Sequence, residues 1–389
     1  MNDGKKINRI DSIFKDYVDN KFDYLRMIMK MSNEEIIKDL MDSGLKGRGG
    51  AGFPTGNKWK LAAEQPSGEK FVVCNADEGE PGTFKDKEIL LKVPHKVLTG
   101  MTACSKVTGA KRGYIYLRWE YKFMKDDLQK SVDEFNEVLK EMKIDFKIYI
   151  FLGAGAYVCG EESALFDSME GMRGEPRNKP PFPTVSGFMG KPTVINNVET
   201  FATSTMILSF GGENYAKLGT DVSHGSKLFS ISGDTSIPGI YELELGMTLH
   251  EFVEKFGDGD TKAVSVGGVS GALVPRKKFK DTIIGWEGVP TGGAMILFNS
   301  TRSIYRILHN YLDFFEEESC GQCTPCRIGC QQLKKGIEAV KKGEEDPSYL
   351  DTLANLSKVM NVSAKCGLGQ SVMNPVLSAV NNFREELIY

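Results

Sequence analysis

Apolar and polar positions divide the chain into stretches of different character. Between residues 10 and 30, Ile10, Ile13, Phe14, Tyr17, Phe22, Leu25 and Ile28 recur at broadly helical spacing, which predicts helix packed on the body of the protein. Ser32-Asn-Glu-Glu35 has the form of a capping box, in which the serine accepts a first-turn N–H and the glutamate reaches back. The helix it opens carries Ile36, Ile37, Leu40 and Met41 on one face and is predicted to end at Gly44. Short apolar runs at Phe71–Cys74, Gly113–Leu117 and Ile144–Leu152 read as strands, and Leu128, Val132, Phe135 and Leu139 mark an amphipathic helix. From about residue 226, the runs Leu228–Ile231, Ile240–Leu245, Ala263–Val269 and Ala294–Phe298, with one helix near Thr248–Phe256, predict a compact strand-rich unit. No chemistry is legible in that unit, so its expected task is spacing and docking. After Thr301 the pattern is helical to the end.

Several of these elements empty into glycine-rich turns. Gly47-Arg-Gly-Gly-Ala-Gly-Phe-Pro54 has glycines at 47, 49, 50 and 52, a density that lets backbone N–H groups approach an anion and equally suits a surface loop. Arg48 and Lys58 supply cations suited to a phosphate or an anionic ring, and no Gly-Lys-[Ser/Thr] follows, so this is not a P-loop. Asn75-Ala-Asp-Glu-Gly-Glu-Pro-Gly82 hangs from the end of a predicted strand, where open α/β sheets bind ligands. Its Asp77, Glu78 and Glu80 repel phosphate and are expected to face sugar hydroxyls or an uncharged ring; a solvated turn or a metal site is the other reading. Gly153-Ala-Gly-Ala-Tyr-Val-Cys-Gly-Glu-Glu-Ser-Ala164 is a strand–turn–helix start, but Val158 stands where the dinucleotide fingerprint needs its third glycine. Cys159 reads as a small buried hydrophobe. The proline-rich ledge Gly174–Pro183 carries Arg177, Lys179 and Phe182, whose ring can stack a base or simply pack. Ile195-Asn-Asn-Val-Glu-Thr200 offers two amides before a helix, for a polar ring and its side chain or for capping.

Length and composition narrow the class. The 389 residues suffice for two or three domains, and a formal charge of -3 gives no global reason to expect nucleic acid or an anionic membrane. No apolar run approaches the ~18 residues of a membrane span, and Met1–Lys6 is polar and leads into no signal-peptide core. Eight cysteines are too few for a disulfide scaffold, and their crowding predicts metal ligation in a reducing, cytoplasmic setting. Cys320, Cys323 and Cys326 repeat every three residues, a spacing at which thiolates hold iron–sulfur clusters. A fourth ligand is required, and both Cys330 and Cys366 are available.

Taken together, Gly47–Pro54, Asn75–Gly82, Gly153–Leu165, Lys179–Pro183, Ile195–Thr200, Cys320–Arg327 and Cys366–Gly369 resemble, in order, the NADH-binding flavoprotein subunit of respiratory complex I. That family includes the diaphorase subunits of NAD-linked hydrogenases and formate dehydrogenases. The resemblance implies an α/β multidomain chain: an N-terminal helical segment (1–45), a Rossmann-like FMN- and NADH-binding domain (46–225), a β-grasp, ubiquitin-like domain (226–300) and a helical 4Fe-4S domain (301–389). It assigns FMN to Gly47, Arg48, Gly49, Gly50, Lys58, Asn75, Asp77, Gly160, Glu161, Asn196 and Asn197. It assigns NADH to Phe53, Glu78, Glu80, Tyr157, Glu162, Lys179 and Phe182, and one 4Fe-4S cluster to Cys320, Cys323, Cys326 and Cys366.

The resemblance further implies an NADH dehydrogenase module that moves hydride between NAD(H) and FMN and single electrons to or from the cluster. Hydride transfer is cofactor chemistry, so no side chain is assigned as catalytic acid or base. Glu162 would favour NAD over NADP by accepting from a ribose 2′-OH and repelling a 2′-phosphate. The expected partners are a small 2Fe-2S thioredoxin-like subunit and a further iron–sulfur or catalytic subunit, with no nucleic acid and no direct membrane span. The contrasting reading is an iron–sulfur relay or assembly scaffold that has lost its flavin. Two departures from the family pattern stand out: Leu61 replaces an aromatic near the expected adenine site, and Cys330 is extra. A ferredoxin-like run would recruit Cys330, but its fourth cysteine serves a second cluster, which this chain lacks the cysteines to build; Cys366 is therefore the expected ligand and Cys330 a spare thiol. Without the cysteine-rich extensions of longer relatives, the chain is expected to carry one cluster and to need a partner.

Overall fold

Nine strands form two sheets in the computed structural model, which describes residues 10–388. The polar start at Met1–Lys6 lies outside the described residues. Strands β1 (Phe71–Ala76), β2 (Arg112–Leu117), β3 (Lys147–Leu152) and β4 (Thr193–Asn197) make a parallel sheet in the order β3-β2-β1-β4. The chain winds outward from β1 through β2 to β3 and then returns to the other side of β1. That reversal puts a topological switch point between β1 and β4, where open α/β sheets form a crevice beyond the strand C-termini.

Side-chain alternation along β1 feeds two different cores. Val72 and Cys74 join the core made with helices Pro94–Thr108 and Val198–Phe210. Phe71 and Val73 join a second core that continues through Leu165 and Phe166 into the C-terminal helices. Burial on both faces explains the unbroken apolar run at Phe71–Cys74. Those C-terminal helices are Ile304–Glu318, Thr324–Lys342, Tyr349–Ser363, Gly367–Ser371 and Met373–Leu387, as the pattern after Thr301 predicts.

A second sheet contains β5 (Ser226–Gly233), β6 (Gly239–Glu244), β7 (Thr261–Val266), β8 (Ala272–Pro275) and β9 (Ala294–Asn299), in the order β6-β5-β9-β7-β8. Its first and last strands lie side by side and parallel, and the other pairs are antiparallel. Helix Leu249–Phe256, opened by a Thr248/Glu251 capping box, buries Leu249, Phe252 and Phe256 against it.

One expectation needs adjustment, and one strand goes unforeseen. The capping box at Ser32 and Glu35 forms and starts helix Asn33–Asp42, but residues 10–22 are largely not helical, and the helix in this region is Asp23–Ile28. The backbone carbonyls of Ser12, Ile13 and Lys15 instead accept from the buried Lys96 ammonium at 3.4, 2.8 and 2.7 Å. A helix would need those carbonyls for its own ladder. Strand β8, only Ala-Leu-Val-Pro, is too short to stand out as a periodic run.

Candidate functional site

The C-terminal ends of β1 and β4 bring three predicted amides together. Asn75 on β1 is in register with Asn197 on β4, and Cys74 with Asn196. Gly49 packs against the Asn197 side chain, so the glycine loop lies over this end of the sheet. At Gly50, φ is +113° and a Cβ would meet nothing within 4 Å, so this backbone faces open room that a side chain would fill. Asn75 Oδ1 accepts the Asp77 N–H at 3.1 Å and its amide donates to the Gly160 carbonyl at 2.8 Å, which joins the acidic loop to the turn Tyr157–Gly160. Beside it the Asp77 Oδ2 is buried with no hydrogen-bond partner. Burial pushes the Asp77 carboxyl up to about 7 despite the opposing charge of Arg118.

A second group of predicted residues gathers at the rim. Lys179 lies 2.6 Å from Glu161 and 2.7 Å from Glu162. Glu161 also caps helix Glu162–Met169, accepting from Ser163 and Ala164 N–H groups at 2.9 and 3.0 Å. Burial works against its charge, but the hydrogen bond and charge of Lys179 and the cap contacts hold its pKa below the ordinary value. Lys58 donates to the Ile195 carbonyl at 3.0 Å and stands 5.9 Å from the Phe53 ring centre. Burial pulls its ammonium down, with the Glu162 charge opposing. Phe53 and Phe182 are 46 % and 56 % exposed, apolar faces of the kind a base can stack on.

Five predicted side chains turn elsewhere. The Arg48 guanidinium is buried, donating to the Tyr215 hydroxyl at 2.8 Å and the His224 carbonyl at 3.1 Å, so it fastens the glycine loop from behind, while its Nε is buried without a hydrogen-bond partner. Glu78 is likewise inward: it accepts from the Asp86 and Lys87 N–H groups at 2.9 and 3.2 Å, at the start of helix Lys85–Lys92, and from the Tyr121 hydroxyl. Helix starts attract carboxylates, and Glu78 meets that demand here. Burial, reinforced by the nearby Asp86 charge, still pushes Glu78 up to about 7. Glu80 accepts from Tyr157 Oη at 2.7 Å and from the Ser270 N–H at 2.9 Å, so Glu80 and Tyr157 pair with each other and with the connection between β7 and β8. The Asn197 Oδ1 caps helix Val198–Phe210 at Glu199 N, the capping alternative, while its amide donates to Asp86.

Residues without an assigned role close the site from below. Lys85 lies 2.7 Å from Asp86 and 2.9 Å from Glu199, and Lys227 lies 3.1 Å from Glu199 and donates to the Arg48 carbonyl at 2.9 Å. All four side chains are buried. Burial lowers Lys227 to about 7, with Glu199 opposing. Trp286 stacks so closely on Gly52 that a Cβ there would fall within its ring. The unit built on the second sheet thus supplies Lys227 from β5 and Ser270 and Trp286 from its connections, contacts beyond the spacing and docking expected of it. A lysine directly before the apolar run Leu228–Ile231 of β5 is the signal in the sequence that could have found it.

The cysteines form a separate cavity. Cys320, Cys323, Cys326 and Cys366 line it together with Val158, Ser319, Lys365 and Leu368. Cys323 precedes helix Thr324–Lys342, Cys326 lies in its first turn, and Cys366 precedes helix Gly367–Ser371. All eight cysteines are free thiols. Among the described residues no three His, Cys, Asp or Glu side chains converge on one ion. The four thiols ring a space, the arrangement a multi-iron cluster needs, because its ligands bind different irons. Cys330 is fully buried one helical turn behind Cys326 and outside this wall, and Cys159 is a buried thiol at the packed turn, as expected.

The turn Tyr157–Gly160 touches both places. Val158 forms part of the cysteine cavity, and the Gly160 carbonyl holds Asn75. Two residues of backbone span at most about 7 Å. The Tyr157 N–H also donates to Glu318, two residues before Cys320, at 2.9 Å, and its ring packs on Phe314 at 4.9 Å between centres.

Comparison with known proteins agrees with this layout. The family model described as the Nuo51 FMN-binding domain matches residues 40–205, and that of the NADH-ubiquinone oxidoreductase-F iron-sulfur binding region matches residues 306–389. The chain is 42 % identical over 368 residues to the NAD-reducing hydrogenase HoxS subunit alpha of Cupriavidus necator, covering 93 % of this chain and 61 % of that protein. It is 38 % identical over 388 residues to an NADH-quinone oxidoreductase subunit of Aquifex aeolicus, covering 97 % of this chain and 91 % of that one. A crystal structure of NAD+-reducing [NiFe]-hydrogenase in the H2-reduced state superimposes with a TM-score of 0.88 at 39 % identity, over 93 % of this chain and 63 % of the other. The chain therefore spans about three fifths of the length of the hydrogenase subunits it matches.

Proposed function

The chain belongs to the family of complex I flavoprotein subunits and hydrogenase diaphorase subunits, with FMN and 4Fe-4S as its cofactors, and from that premise we propose that it exchanges hydride with NAD(H) and electrons with partner iron–sulfur subunits. One observation carries the reading: a single turn, Tyr157–Gly160, borders both the crevice at β1 and β4 and the cysteine cavity. A flavin in that crevice would supply two-electron exchange with the nicotinamide and one-electron exchange with the cluster.

The crevice suits an isoalloxazine and its phosphate chain. Gly50 offers open backbone, Asn75 and Asn196 polar edges, and the unpartnered Asp77 carboxyl a hydrogen-bonding group in a buried wall. Lys58, Phe53, Phe182 and the Lys179–Glu161–Glu162 cluster would bind and orient the nucleotide at the rim, and their contribution is positioning. Arg48, Glu78 and the Glu80–Tyr157 pair hold the loops that do the binding. Cys320, Cys323, Cys326 and Cys366 would ligate the cluster, supported by the one cavity they share.

The second sheet is read as a β-grasp unit at 226–300, supported by its parallel central pair formed from the first and last strands. The remaining divisions are 1–45, 46–225 and 301–389. No helix among the described residues is long and apolar enough to cross a membrane, in keeping with a subunit held in its complex by protein contacts. A small 2Fe-2S thioredoxin-like subunit and a further iron–sulfur or catalytic subunit are the proposed partners. Anaerobic NADH added to purified protein containing FMN and iron is expected to bleach its yellow-brown colour; protein left oxidised by excess NADH would refute the proposal.

A further inference from the structure

Cys330 is the one cysteine of the 318–330 run that the cavity leaves out, and its position gives it a different task. Helix Thr324–Lys342 places it four residues after Cys326, on the same face and one turn deeper. Cys330 is fully buried, Cys326 is 6 % exposed, and both side chains belong to the same core. Ser319 approaches the Cys326 sulfur, its Oγ 3.2 Å from Cys326 Sγ. That oxygen also accepts the Gly321 N–H at 3.3 Å, which leaves the hydroxyl hydrogen available for the sulfur.

We propose that Cys330, together with Ser319, is a positioning and tuning residue that donates a hydrogen bond to the Cys326 sulfur and raises the reduction potential of the cluster. The inference rests on the reading of Cys326 as a cluster ligand. A ligating cysteine is a thiolate and can only accept, so the Cys330 S–H and the Ser319 O–H become the donors. Donors aimed at a ligand sulfur draw off negative charge and favour the reduced, more negative cluster; hydrogen bonds to sulfur are among the levers that set such potentials. Burial strengthens the effect, because no water competes for the sulfur. The thiol is thus a device of this chain's own sequence, added one turn behind a ligand position.

The test is an EPR-monitored redox titration of the intact chain, with iron and FMN content measured on the same samples. Cys330→Val removes the donor at similar volume, and Cys330→Ser keeps an O–H in its place. The valine variant is expected to retain four irons and to show a lower midpoint potential, by about a tenfold change in the reduction equilibrium, or about 59 mV for one electron. The serine variant should return most of the way to the parent value, and Ser319→Ala should lower the midpoint independently. A fully loaded valine variant with an unchanged midpoint overturns the proposal. If Cys330→Val and Cys330→Ser both lose iron while Cys366→Ser retains it, Cys330 is a ligand and the ligand reading fails instead.

Discussion

The cysteine cavity and the crevice at the end of the parallel sheet are built from opposite materials. The cavity is walled by thiols with Val158 and Leu368 around them, in the core that runs from β1 into the C-terminal helices. The crevice is ringed by charges nearly all claimed by another charge or a helix end: Lys179 by Glu161 and Glu162, Glu78 by helix Lys85–Lys92, Lys227 and Lys85 by Glu199. Residue type therefore reveals its task to different depths in the two places. A free thiol in a cavity has few competing partners, whereas a carboxylate or guanidinium satisfies the fold as readily as a ligand.

The sharpest contrast comes from removing one member of each wall. Cys366→Ser should abolish the cluster, with iron falling from four per chain toward none, and leave FMN content near parent level. Loss of both cofactors together would show that the two regions are not separate sites. Lys227→Met leaves the Arg48 carbonyl without its donor and Glu199 with one cation fewer, a broken buried network expected to cost about 3–5 kcal/mol. Urea unfolding of the apo chain reads this directly; a change within about 0.5 kcal/mol, usual for surface sites, would mean that the network is dispensable.

Asp77 offers a pH probe of the crevice. Its folded pKa, about 7, lies above the ordinary 3.8, so between those values the fold holds a proton that the unfolded chain releases. The stability tied to it is full below about pH 4 and is lost as pH rises through 7, at about 1.4 kcal/mol per unit and at most about 4 in all. Asp77→Asn should flatten that slope in the apo protein and in no other pH window; an unaltered slope would show the carboxyl to be solvated. At the rim, Phe182→Ala is expected to raise the KM for NADH with little change in kcat, by the about 1–3 kcal/mol that a stacked base is worth. Replacing NADH with NADPH tests Glu162, and equal efficiencies would remove it as the discriminating group.

Much of this layout is legible in the sequence, for physical reasons that differ along the chain. Strand runs such as Phe71–Cys74 and helix signals such as Ser32–Glu35 are local, and both appear where the pattern puts them. Residues 10–22 depart from their helical period because a distant lysine, Lys96, competes for their carbonyls, which no local period records. Cysteine spacing exposes three thiols, but nothing local distinguishes Cys366 from Cys330; that needs the loop before helix Gly367–Ser371 to fold back onto the run. Arg48 illustrates the opposite case, a cation in a glycine loop whose partner, Tyr215, is 167 residues away.

Whether the turn Tyr157–Gly160 joins the flavin crevice to the cluster is decided by anaerobic titration of the FMN- and iron-loaded chain with NADH. Flavin absorbance and the EPR signal of the reduced cluster are followed in the same samples. The cluster signal is expected to grow as the flavin bleaches, without any partner subunit present. A flavin that bleaches fully beside a cluster that stays oxidised, although dithionite can reduce it, would contradict that connection.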